Sequence, residues 1–162
     1  MASKKLKIGI FSFTGDEGCV IEFVEILNNH YRDWIKLVDF RYAKVLKSKN
    51  ELSDIDVAFV EGAISTFNEE EKLKKIREAS KKVVAIGSCA INGTPSNHRN
   101  FFDEARMEEI RPIMDKFGHR PTVSPLHEII QVDDNVPGCP ILEKPFIDVM
   151  MKYLKEFGVA GE

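Results

Sequence analysis

Three cysteines and one aspartate carry most of the chemistry this sequence could do. Cys19, Cys89 and Cys139 are the only cysteines among 162 residues. Asp16 precedes Cys19 as Asp16-x-x-Cys19, the one close pair in the set. Thiolate and carboxylate are both metal ligands. Each cysteine is flanked by small or rigid residues: Gly18-Cys19, Ser88-Cys89-Ala90 and Pro137-Gly138-Cys139-Pro140. Such neighbours let the backbone approach a bulky group and aim amides at it, which suits an anionic iron–sulfur cluster. A mononuclear zinc site of three thiolates and a carboxylate is also permitted chemistry. Structural zinc sites, however, often take their ligands as paired knuckles, and Cys89 and Cys139 arrive singly. Four ligands from three separated loops suit an iron–sulfur cluster better, with Asp16 supplying oxygen where a fourth thiolate would normally sit. An odd, sparse cysteine set also argues against a disulfide scaffold and for a reducing, cytoplasmic compartment.

The elements that must position these residues follow from the hydrophobic pattern. Leu6 to Phe13 reads as a buried strand, broken by Thr14-Gly15-Asp16-Glu17-Gly18. Helical spacing starts at Cys19 and predicts a helix that Asn28-Asn29 and the aromatic stretch to Trp34 bring to an end. Strands are predicted over Ile35 to Phe40, Ile55 to Val60 and Lys82 to Ile86. A helix is predicted over Ser65 to Lys81, with Ser65 or Thr66 as cap, glutamates early and lysines late. A second follows over Phe101 to Phe117, interrupted near Pro112, and a third over Pro140 to Phe157. Gly118 to Pro137 reads as irregular, with an extended piece at Ile129 to Val132. Strands alternating with helices, several of them nearly continuously apolar, predict an α/β fold: a doubly wound parallel sheet in three layers, flavodoxin-like, spanning residues 1–162 as one domain.

Sites in open α/β sheets form beyond the carboxyl ends of the strands. That rule gathers Asp16 and Cys19, Cys89, and Cys139 at one edge, after the first strand, the fourth strand and the late extended piece. Glu61 ends the third strand at the same edge. It is a candidate proton relay, with a carboxylate simply hydrogen-bonded to loop amides as the plainer account. Composition narrows the classes further. With 23 Lys+Arg against 26 Asp+Glu the chain is mildly acidic, unlike a dedicated nucleic-acid binder. No stretch approaches about 18 uninterrupted apolar residues, so no direct membrane insertion is expected. The basic start Met1-Ala2-Ser3-Lys4-Lys5 and the short apolar run behind it lack the features of a signal segment.

Four motifs, in order, resemble the small subunit of nickel–iron hydrogenases and the related small electron-transfer subunit of respiratory complex I. They are Thr14-Gly15-Asp16-Glu17-Gly18-Cys19, Val60-Glu61-Gly62-Ala63-Ile64, Gly87-Ser88-Cys89-Ala90 and Pro137-Gly138-Cys139-Pro140. The resemblance implies a flavodoxin-like domain holding one 4Fe–4S cluster, the proximal one, beside a large subunit that carries the nickel–iron centre. Cys19, Cys89 and Cys139 match three of that family's four cysteine ligands, and Asp16 stands where the fourth cysteine normally is. Many hydrogenase small subunits continue into a segment for two more clusters. With no cysteine after Cys139, this sequence is expected to hold one cluster and to pass electrons to further iron–sulfur or flavin subunits. The implied function is electron transfer within a multi-subunit oxidoreductase, the chain alone not being catalytic. Three alternatives stand beside it: a complex-I-like subunit without hydrogenase activity, a scaffold subunit that has lost its cluster, and an FMN-carrying flavodoxin. Ser12-Phe13-Thr14-Gly15 resembles a flavodoxin phosphate loop, but Asp16 and Glu17 would set two negative charges against the phosphate.

Overall fold

The computed structural model describes residues 4–160; Met1-Ala2-Ser3 and the last two residues lie outside the described part of the chain. Five strands form one parallel sheet: β1 (Leu6–Ser12), β2 (Val38–Ala43), β3 (Ile55–Glu61), β5 (Ser80–Ile86) and β7 (Asp134–Val136). Their order is β2-β1-β3-β5-β7. This is the flavodoxin-like, doubly wound order. Every residue of β3 is buried, as a central strand covered on both faces requires. The two remaining strands, β4 (Ile64–Thr66) and β6 (His119–Ser124), form a separate antiparallel pair.

Helices α1 (Gly18–Leu37) and α5 (Glu143–Glu156) cover one face. There Phe23, Trp34 and Phe146 pack with Ile8, Val57, Phe59 and Val84. On the other face α2 (Phe67–Ala79) and the short α3 (Ser88–Asn92) enclose Phe11, Ala58, Val60, Leu73, Ile76 and Ala90. Between α3 and β6 runs α4 (Glu104–Lys116), none of whose residues is buried.

The structure shifts several predicted boundaries for identifiable reasons. Asn28-Asn29 does not stop α1. Trp34 is only 4% exposed and packs against Phe146 with ring centroids 6.2 Å apart, so core burial carries the helix on to Leu37 and moves β2 to Val38–Ala43. Pro112 sits inside α4 without ending it. Pro145 falls in the first turn of α5, where a missing N–H costs nothing. The last sheet strand lies later than the apolar run at Ile129 to Val132. Those side chains pack onto the α2 face instead. Pairing with β5 begins once the Asp133 carboxylate has accepted the Val83 N–H at 2.8 Å and the Arg77 guanidinium at 2.7 Å.

Of the two proposed caps for α2, Thr66 is the one used. Its Oγ1 accepts the Glu69 N–H at 3.1 Å, and the Glu69 carboxylate accepts the Thr66 N–H at 3.0 Å. This reciprocal capping box satisfies two otherwise orphaned donors. The Glu69 carboxylate also accepts from Thr14 Oγ1 at 2.9 Å, which ties the loop after β1 to α2. Thr66→Ala is therefore expected to cost about 1 kcal/mol and to lower Tm by about 2–4 °C in a thermal melt.

Candidate functional site

The three cysteines reach the carboxyl edge of the sheet on three separate segments. Cys19 is the second residue of α1, immediately beyond the loop after β1. Cys89 is the second residue of α3, which starts where β5 ends. Cys139 lies in the loop between β7 and α5. All three are free thiols; Cys19 and Cys89 are half-buried and Cys139 is exposed.

The first turn of α1 is held by carboxylates on either side of Cys19. Asp16 Oδ1 accepts the Gly18 N–H at 3.0 Å. Glu61, only 3% exposed at the end of β3, accepts the Val20 N–H at 3.0 Å with Oε2 and the Ser12 hydroxyl at 2.7 Å with Oε1. These two acids take up amides that a helix N-terminus would otherwise leave unpaired. Asp16 itself is exposed, and its Oδ2 has no hydrogen bond among the described residues.

The other two segments are joined by backbone. Ser88 donates both its N–H and its hydroxyl to the Gly138 carbonyl, at 2.9 and 3.1 Å. Gly87 N–H donates to the Val136 carbonyl at 2.8 Å. Cys89 and Cys139 therefore flank residues that are hydrogen-bonded to each other. Gly87 lies so close to the Cys19 sulfur that a Cβ there would collide with it, and its φ of +83° is one that side chains rarely adopt. Gly138, at φ +128°, leaves space that a Cβ would take from the Ile141 backbone.

Two donors face the sulfurs. The Ser96 hydroxyl donates to Cys89 Sγ at 3.2 Å, and the Ile141 amide lies near Cys19. Burial pushes the Cys19 thiol up to about 11; the Ile141 amide opposes this, and Glu61, Cys139 and Cys89 each add to the rise. Burial likewise raises the Glu61 carboxyl above its ordinary range, against the Ser12 and Val20 hydrogen bonds, with Glu17 and Asp16 adding to the rise. Among the described residues no three His, Cys, Asp or Glu side chains converge on a single metal ion. The donor set fits a polynuclear iron–sulfur cluster: three thiols from three loops, small residues around them, and amide and hydroxyl donors on the sulfurs. Sequence reasoning missed Ser96 and Ile141, because neither residue type nor spacing marks a donor that a turn delivers to a sulfur.

Residues 17–153 match the family model described as NADH ubiquinone oxidoreductase, 20 Kd subunit. The chain is 29% identical over 94% of its length to a subunit of the F420-non-reducing hydrogenase of Methanothermobacter marburgensis, of which it covers 54%. It is 24% identical over 94% of its length to the NAD-reducing hydrogenase HoxS subunit delta of Cupriavidus necator, covering 78% of that protein. The chain spans about half the length of several curated relatives it matches. A chain of an NAD+-reducing NiFe hydrogenase solved in the H2-reduced state superimposes with a TM-score of 0.80 at 27% identity, covering 94% of this chain and 93% of that one.

Glu61→Ala leaves the buried Val20 N–H without its acceptor and is expected to cost about 1–3 kcal/mol in a denaturant titration. Glu61→Gln keeps an acceptor and is expected to lose less. Equal losses in the two variants would show that the hydrogen bond to α1 is not what matters.

Proposed function

The chain belongs to the NADH ubiquinone oxidoreductase 20 Kd subunit family, and on that premise we propose that it is the electron-transfer small subunit of a multi-subunit nickel–iron hydrogenase. The carrying observation is the meeting of three cysteine segments, after β1, β5 and β7, with Gly87 cleared of side chain against the Cys19 sulfur. Cys19, Cys89 and Cys139 would hold one 4Fe–4S cluster, with the free Oδ2 of Asp16 as the fourth ligand. When bound, that group supplies a one-electron carrier at the sheet edge.

The chain's own residues do the rest. Asp16 and Glu61 fix the first turn of α1 and with it the direction of Cys19. Ser96 donates to Cys89 Sγ and the Ile141 amide lies near Cys19; polar groups on the sulfurs help set a cluster's potential. Glu61, buried beside Cys19 and linked to Ser12, is the group we assign to relay a proton that accompanies the electron. We read residues 1–162 as one cluster-binding domain acting in the cytoplasm. No helix among the described residues is long and apolar enough to cross a membrane.

The surface and the relatives support a reading with partner subunits. Ile21, 63% exposed, and Leu142, 57% exposed, are bare apolar side chains close in sequence to Cys19 and Cys139. A hydrogenase-type large subunit would cover this edge, and further iron–sulfur or flavin subunits would take the electron onward. The relatives' own descriptions as hydrogenase subunits support this.

The test is anaerobic purification of the complex with iron and acid-labile sulfide analysis and EPR of the reduced protein. About four iron and four sulfide per site of this chain are expected; no cluster in the complete complex would overturn the reading. Asp16→Cys is expected to keep the cluster with an altered EPR spectrum, and Asp16→Ala to lose about one iron in four. Unchanged spectra in both would remove Asp16 from the ligand set. A co-purifying large subunit with two Cys-x-x-Cys pairs supports the hydrogenase assignment, whereas one without them points to a complex-I-like carrier.

A further inference from the structure

The segment that follows Cys89 folds back onto that cysteine. After α3 the chain runs through Thr94 to a single tight helical turn, His98–Phe101, and on the way sets the Ser96 hydroxyl 3.2 Å from Cys89 Sγ. None of residues 94–101 is buried. Apolar packing therefore does not fix this segment, and such a stretch opens easily unless polar contacts hold it. Its bonds to itself and to the end of α3 are local. The Asn97 N–H donates to the Gly93 carbonyl at 2.8 Å and the Asn100 N–H to the Asn97 carbonyl at 2.9 Å. These bonds shape the turn without tying it to the body of the protein.

Two side chains supply the tie. The Asn100 carboxamide donates to the Val123 carbonyl and accepts the Val123 N–H, both at 2.8 Å. It meets β6 as the backbone of a neighbouring strand would, exchanging both bonds with one residue. Val123 is only 2% exposed, so the carboxamide is anchored to a fixed point. The Arg99 guanidinium donates to the Arg120 carbonyl at 2.7 Å and to the Ser65 carbonyl at 3.1 Å. Ser65 belongs to β4, and its hydroxyl lies 2.6 Å from Thr14 Oγ1, in the loop that leads to Asp16. The β4–β6 pair thus holds both the loop before Asp16 and the segment after Cys89.

We propose that Asn100 is a positioning residue for the redox centre: through Val123 it holds Ser96 on the Cys89 sulfur and so raises the reduction potential of the group bound there. The inference rests on the electron-transfer reading above and assigns the tuning to a residue outside the cysteine motifs. A hydroxyl bonded to a sulfur stabilises negative charge on it, and an added electron increases that charge. The bond therefore favours the reduced form. Released from β6, Ser96 would turn its hydroxyl to water and that preference would fall. Arg99 steadies the same turn from its other side.

The test is an EPR-monitored redox titration of the complex purified anaerobically with its native partners. The signal of this chain is identified as the one that Cys89→Ala abolishes or alters. Ser96→Ala is expected to move its midpoint to more negative potential, lowering the reduction equilibrium constant about three- to tenfold. Ser96→Thr keeps a hydroxyl and should restore most of the difference. Asn100 is exposed, so its variants are expected to assemble. Asn100→Ala should shift the midpoint in the same direction. Asn100→Asp, which keeps an acceptor for the Val123 N–H but loses the donor, should shift it less. The double variant Ser96→Ala/Asn100→Ala should move no further than Ser96→Ala alone, because Asn100 acts through Ser96. No cluster in the unaltered complex would overturn the electron-transfer reading and this inference with it. A cluster that is present but keeps its midpoint in Ser96→Ala or in both Asn100 variants would overturn the inference alone. Additive shifts in the double variant would do the same.

Discussion

The site depends on how the first turn of α1 is anchored. A helix that starts within a few residues of a strand brings several unpaired amides to the edge of the sheet. Here they meet two acids from opposite directions: Asp16 from the loop just behind, and Glu61 from the neighbouring strand β3. The second is the more constraining. A carboxylate only 3% exposed is costly to keep charged, and it is kept in place by its bonds to Val20 and Ser12. Moving Glu61 would release the helix start, and with it the direction in which Cys19 points.

The other half of the site is built by strand order. β5 and β7 are neighbours in the sheet although α3, α4 and the β6 strand lie between them in the chain. Their adjacent carboxyl ends bring Ser88 and Gly138 into hydrogen-bond contact. Glycine at position 87 lets the Cys19 segment close against this pair. A loop-built site thereby acquires the rigidity of the sheet beneath it, which a redox centre needs if its surroundings are to stay fixed when its charge changes.

Much of this was legible in the residues. The alternation of apolar strands with amphipathic stretches gave the layers, and the rule that sites lie beyond strand ends placed Cys19, Cys89, Cys139 and Glu61 on one edge. What escaped was governed by tertiary packing. The length of α1 was decided by Trp34 burying itself against Phe146, not by the asparagines that looked like a stop. β7 was set by the Asp133 bond to Val83, not by the more apolar run before it. The small β4–β6 pair left no periodic trace, because a three-residue strand such as Ile64–Thr66 is too short to show one. The Asp16 bond to the Gly18 N–H was hidden behind its spacing to Cys19.

The unequal exposure of the three sulfurs has a consequence for the life of the polypeptide before it is assembled. Cys19 and Cys89 are half-covered by their own fold, but Cys139 stands open to solvent. Oxidative damage to cysteine follows accessibility, and its later stages are irreversible. A freshly made chain waiting for its neighbours is therefore most vulnerable at Cys139, and whatever shields that lip first also acts as its protection against air.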